Sequence, residues 1–168
     1  MHNSSSVSKQ IKEIQSQDTS MFRTFVFDID GTIFKHKSND DLDQVCVKLI
    51  KAKDKLPKHL QDFMRSPPEY LQEEILDGVK EFWLNYLHSN DTIILTSARL
   101  ERHRLQTEIM LNFWGLRFDH LILGIPSGVR YLFNDIDPKK PGLEKAVAIN
   151  LKRNEGLTPR SYDVRYDD

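Results

Sequence analysis

The sequence predicts an α/β fold, a mainly parallel sheet with helices on both faces, from two observations. Short apolar runs alternate with stretches of helical spacing along the 168 residues, and each run ends in polar residues, as buried parallel strands joined by helical crossovers do. Right-handed crossovers bring successive strand ends to one edge, so the polar ends are expected to converge.

Three runs carry strand character: Thr24 to Asp28, Thr92 to Thr96, and Tyr131 to Asn134 leading into Asp135. His120 to Leu123 before Gly124 is a candidate fourth strand, and Ala146 to Ile149 is either a fifth short strand or part of a helix. Ile75, Val79, Phe82, Trp83 and Tyr86 recur at helical steps, and Arg102 to Trp114 puts Leu105, Ile109 and Phe113 on one face before a stop at Gly115. Between Phe34 and Tyr70, Asp41 to Asp54 is helical (Leu42, Val45, Leu49) and a second pattern runs from Pro57 through Phe63 and Met64. Ser66-Pro67-Pro68 then breaks the chain. This stretch is expected to be a small helical insert over the strand ends. The organisation is therefore a flexible N-terminal arm (1–20), one catalytic core (21–157) with the insert at about 35–70, and a tail (158–168) that is either an exposed extension or an oligomer contact.

Composition excludes several classes. With 24 basic and 25 acidic residues the formal net charge is −1, so bulk charge argues against nucleic acid or an anionic membrane as partner. Met1 to Ser20 is polar without a continuous apolar core, neither signal peptide nor membrane span, though Ile11 and Ile14 allow a short amphipathic helix. A cytoplasmic location is the default expectation. Cys46, the single cysteine, lies between Val45 and Val47 and reads as a small buried apolar residue.

The chemistry concentrates at the run ends. Thr24-Phe25-Val26-Phe27 ends in Asp28-Ile29-Asp30-Gly31-Thr32, two carboxylates that would share one face of an extended strand unless the turn at Gly31 redirects Asp30. Thr96-Ser97-Ala98-Arg99 offers a hydroxyl and backbone N–H groups to a phosphoryl oxygen at a loop-to-helix transition, or merely an N-cap. Asn134-Asp135-Ile136-Asp137 adds carboxylates suited to Mg2+ rather than zinc, for which no Cys/His spacing exists. The six scattered histidines read as surface or internally satisfied residues. Phosphoryl transfer through a covalent intermediate needs these parts: a carboxylate nucleophile, an acid/base, a cation and donors for the phosphoryl oxygens.

On these residues the chain resembles the haloacid dehalogenase superfamily of phosphatases, small and capless or minimally capped. The first motif is Asp28 to Thr32, the second Ser97 or Thr96, and the fourth Asp135 with Asp137, in order and over most of the chain. The resemblance implies a three-layer α/β/α sandwich with a Rossmann-like sheet, and a Mg2+-dependent phosphatase acting on a small phosphorylated metabolite, a sugar phosphate or nucleotide. It further implies Asp28 as nucleophile, forming an aspartyl phosphate. Asp30 is the acid/base, and Mg2+ is held by Asp28, the Asp30 carbonyl and Asp135. Asp137 either assists the metal or caps a turn. Gly31, Thr32, Thr96, Ala98, Arg99 and Lys139 fall in the substrate-binding set. The third-motif lysine is missing, since Gly124-Ile125-Pro126 stands in its register; Arg130 is the first substitute, then Lys139 or Lys140.

The basic cluster Arg99, Arg102, His103 and Arg104 is expected to be a solvated helix face, with a second phosphate or acidic sugar as the alternative. An uncapped core also leads us to expect a homo-oligomer. The competing functions are a nucleic-acid 3'-end phosphatase, which lacks a basic stripe with interleaved aromatics here, and a non-catalytic phosphate-binding module, which would not require Asp30.

Overall fold

The structure, a computed structural model, describes residues 22–52, 64–136, 138–142 and 145–158. The expected N-terminal arm, nearly all of the second insert helix, Asp137 and most of the tail lie outside the described residues.

Three strands, β1 (Thr24–Asp28), β2 (Thr92–Thr96) and β3 (His120–Ile122), form an open parallel sheet in the order β1-β2-β3. The register pairs Thr24 with Thr92 through Asp28 with Thr96, and Ile94 with His120 through Thr96 with Ile122. Asp28, Thr96 and Ile122 therefore share one edge, the convergence that parallel crossovers require. The chain is an α/β protein with helices α1 (Asn39–Lys51), α2 (Val79–Asn85) and α3 (Arg104–Phe113); α2 meets the sheet through its aromatic side chains, and α1 packs against α3.

Alternation along the strands decides which side is covered. Ile93 and Leu95 are buried, as is Leu121 beside Leu95 in the register. On the same face, Phe27 meets Phe82 and Trp83 of α2 at ring-centroid distances of 5.7 and 4.7 Å, aromatic contacts that add to area burial. The opposite parity leaves Val26 and Ile122 exposed among the described residues.

Helix α1 begins two residues before the pattern suggested. Ser38 caps it: its hydroxyl accepts from the Asp41 amide, and Asp41 returns a bond to the Ser38 amide, both at 3.2 Å. Helix α2 is shorter than the 75–86 periodicity implied, because Ile75 forms a bridge with Phe34 and Gly78 turns the chain just before Val79. In α3 the buried side is rotated from expectation. Gln106, Thr107, Ile109, Met110 and Leu111 are buried, whereas Leu105 is exposed and Phe113 only partly covered.

Two expectations fail. Tyr131 to Asn134 forms no strand, and Phe133 is 90 % exposed. Apolar, β-favouring composition makes a strand only where a ladder partner takes up its backbone groups, and here no neighbouring strand pairs with this segment. Ala146 to Ile149 is likewise neither strand nor helix. Cys46 is half-buried rather than buried, its Sγ 3.5 Å from the Arg102 carbonyl.

Candidate active site

Parallel pairing puts Asp28 at the end of β1, next to the loop that leaves β2. Beyond it the chain turns at once. The Gly31 amide donates to the Phe34 carbonyl at 2.7 Å and the Thr32 amide to the Ile29 carbonyl at 3.2 Å. Gly31 takes a φ of 88°, a conformation that side chains disfavour. This turn carries Asp30 away from Asp28 and into the protein.

There Asp30 meets the second strand end. Ser97 Oγ donates to Asp30 Oδ2 at 2.9 Å and accepts from the Arg99 amide at 3.0 Å. Arg99 Nε lies 3.1 and 2.9 Å from the two Asp30 oxygens, and Arg99 Nη2 lies 2.7 Å from Oδ1. The guanidinium's other edge is held by Glu73, at 2.9 Å from Nη1 and 2.6 Å from Nη2, and by the Thr107 hydroxyl at 3.0 Å. Arg99 is only 1 % exposed. A buried charge of this kind persists only when paired and fully hydrogen-bonded, and two carboxylates raise the Arg99 pKa further against the opposing cost of its desolvation.

The expected solvated basic face is thus overturned for two of its four members. Arg99 is a buried bridge, and its donors face Asp30, Glu73 and Thr107 rather than a phosphate. His103 is fully buried, with Nδ1 accepting from the Leu100 amide and Nε2 2.6 Å from Asp43 Oδ1. Arg102 clasps the same Asp43 at 2.6 and 2.7 Å. Its hydrogen bonds, followed by that of His103, hold the Asp43 carboxyl well below the usual carboxylate range. Asp43 belongs to α1, so this cluster docks the insert beside the loop that follows β2.

Asp28 itself is 37 % exposed on its side chain, and Arg130 Nη2 stands 3.2 Å from its Oδ1. Burial raises the Asp28 pKa above its ordinary value; the Arg130 charge and hydrogen bond oppose the rise, Asp30 adds to it, and Arg153 works against it. The first substitute for the missing third-motif lysine therefore lies against the strand-end carboxylate. Thr96 Oγ1 donates to the Phe27 carbonyl at 3.2 Å, locking β2 to β1, and Ala98 is half-buried between Ser97 and Arg99.

The fourth-motif residue is elsewhere. Asp135 has a side chain 81 % exposed and accepts from Lys145 Nζ at 2.7 Å, while Lys139 and Lys140 are exposed in the turn beyond it. Among the described residues no three His, Cys, Asp or Glu side chains gather as a metal site. Of the expected carboxylates, the three that are described each face a cation, Asp28 to Arg130, Asp30 to Arg99 and Asp135 to Lys145. As arranged, the described carboxylate side chains do not compose a Mg2+ site.

Sequence reasoning missed Glu73, Thr107, Arg153 and Asn154. The first two carry no local signal, because nothing in their neighbourhood announces a buried arginine 26 and 8 residues away. Asn154 acts through the backbone of distant loops: its amide donates to the Gly31 carbonyl at 2.8 Å and its Oδ1 accepts from the His36 amide at 2.8 Å. No helix of the described residues is long and apolar enough to cross a membrane. Comparison with family models, with curated proteins and with solved structures returns no match.

Proposed function

We propose that the chain is a phosphomonoesterase of the haloacid dehalogenase type, acting on a small phosphorylated metabolite through an aspartyl phosphate on Asp28. The observation that carries this reading is the pairing of two carboxylates with two different cations at one sheet edge. Asp28 lies at the mouth against Arg130, and Asp30 is drawn inward by Arg99 and Ser97. A nucleophile and an acid/base with distinct environments are what a double-displacement reaction needs.

In the proposed reaction an Asp28 oxygen attacks phosphorus as the bond to the leaving oxygen breaks, and Asp30 gives that oxygen its proton. Asp30 then takes a proton from water, whose oxygen attacks the phosphoryl group and releases phosphate and free Asp28. Arg130 offsets charge between the nucleophile and the phosphate. Both Asp30 oxygens accept from Arg99 in this arrangement, so the cycle requires Asp30 first to leave Arg99 and take up a proton from solvent, the proton it then gives to the leaving oxygen and regains from water. The reading brings with it the three-layer sandwich of the superfamily, a homo-oligomer and Mg2+; no step is assigned to the metal, because the described carboxylates do not compose its site.

The test is hydrolysis of an aryl phosphate by wild type, Asp28→Asn and Asp30→Asn, each with Mg2+ and with chelator. Loss of turnover in Asp28→Asn and severe slowing in Asp30→Asn are expected. Turnover indifferent to Asp28→Asn would refute the mechanism, and turnover indifferent to chelator would remove the metal from it.

A further inference from the structure

The turn from Lys152 to Leu157 is fastened to the core at both ends. At its start Asn154, at a φ of 66°, donates its amide to the Gly31 carbonyl and accepts from the His36 amide, so it grips the loop that follows Asp28 and carries Asp30. At its end the Leu157 amide donates to the Asp77 carbonyl at 2.8 Å, and the Leu157 side chain is buried in the core. The backbones meet closely there, since a Cβ on Gly156 would stand 2.2 Å from the Asp77 carbonyl oxygen.

Arg153 sits between these anchors. Its stem lies against Gly31, where a Cβ would come within 2.8 Å of Arg153 Cγ, and its charge reaches the Asp28 carboxyl. The residue is exposed. Lys152 and Glu155 pair with each other at 3.8 Å, while among the described residues no hydrogen bond or ion pair engages the Arg153 guanidinium. A guanidinium whose stem is held in place but whose donors are unengaged, beside a strand-end carboxylate, is arranged to receive an external anion. Arg130 supplies a second guanidinium on the same carboxylate.

We propose that Arg153 is a phosphate-binding residue, and that with Arg130 it forms a two-arginine receptor for the phosphoryl group in front of Asp28. The assignment of the bound group as a substrate phosphate rests on the phosphomonoesterase reading; the anion receptor itself does not. Arg153 contributes affinity, and Arg130, in contact with the nucleophile, contributes to the chemical step as well.

Two measurements on the full chain separate these claims. Titration with inorganic phosphate, followed by calorimetry, should show binding that weakens about tenfold in Arg153→Ala, the loss typical of one charge-assisted contact, is largely kept in Arg153→Lys, and is unchanged in Lys152→Ala. Aryl phosphate kinetics should show KM rising in Arg153→Ala with little loss of kcat. Thermal unfolding of Arg153→Ala should match wild type, because among the described residues none bonds to the removed guanidinium. Absence of phosphate binding by wild type, or equal binding by wild type and Arg153→Ala, overturns the receptor. Phosphate binding that depends on Arg153 without any turnover by wild type keeps the receptor and overturns the phosphomonoesterase.

Discussion

Arg99 Nη2 lies 2.7 Å from Asp30 Oδ1 and 2.6 Å from Glu73 Oε2, so one buried guanidinium joins the loop after β1 to the segment before α2. Arg99→Ala would leave Glu73 buried and Asp30 mostly buried without their cation, which should cost about 3–5 kcal/mol of stability, read from denaturant unfolding. Arg99→Lys should recover little, since an ammonium cannot present two edges to two carboxylates. Glu73→Gln tests positioning. It keeps the volume but leaves Asp30 as the one carboxylate on Arg99, so Asp30 is held there more tightly and the expected signature is a fall in kcat at near-constant KM.

The pH dependence of turnover should report Asp28. Its carboxyl is raised by burial, and a nucleophile must be ionised, so the acid limb of the pH–rate profile should lie above the ordinary carboxylate range near 4. Arg130 lowers this value, so Arg130→Ala should move the limb to still higher pH as well as reduce kcat. The stability sign is the reverse of a paired acid: the folded state holds the Asp28 proton longer than the unfolded chain. Its contribution therefore weakens as pH rises from the unfolded value through the raised folded one.

Asp91 behaves oppositely. Its side chain is fully buried and accepts from Arg23 at 2.8 and 2.5 Å and from the His88 amide at 2.7 Å. Burial would raise its pKa, but these bonds outweigh burial and lower it. The stabilisation is whole above the unfolded value, about 4, and is lost as pH falls through the lowered folded one. Asp91→Ala should cost about 3 kcal/mol at neutral pH, with the difference from wild type shrinking in acid, as thermal melts across pH would record.

Gly156→Ala should unfasten the C-terminal turn. The position has a φ of 71°, and the added methyl would collide with the Asp77 carbonyl. Left-handed strain alone costs about 1–2 kcal/mol, and the backbone clash adds to it. Because Arg153 rides on this turn, phosphate affinity should fall along with stability, whereas Arg153→Ala should lower affinity alone.

Much of the scaffold was legible. The runs Thr24–Asp28 and Thr92–Thr96 are strands with the bounds their composition suggests, and the observed strand His120–Ile122 falls within the candidate fourth run, His120 to Leu123. Continuous apolar residues before a polar stop can hardly be placed otherwise than in a buried strand. Helix ends were less legible, since α1 is set by the Ser38 capping box and α2 by a bridge between Ile75 and Phe34, residues 41 apart. At the site, Asp28, Asp30 and Ser97 were named from local pattern and Arg130 as the stand-in for the lysine that the resemblance implies, and the structure brings the first with the last and the middle two together.

The sequence alone determined the elements whose signal is local: two strands, a parallel arrangement, and a carboxylate at a strand end. Tertiary structure decided everything that depends on a distant partner. It turned Arg99 from a surface charge into a buried bridge, because only the folded chain brings Glu73 and Thr107 to it. It left Tyr131 to Asn134 out of the sheet, and Asp135 beyond it exposed and paired with Lys145. The physical reason is common to both. A buried charge and a strand are each stable only through partners that satisfy them, and neither partner is written beside the residue that needs it.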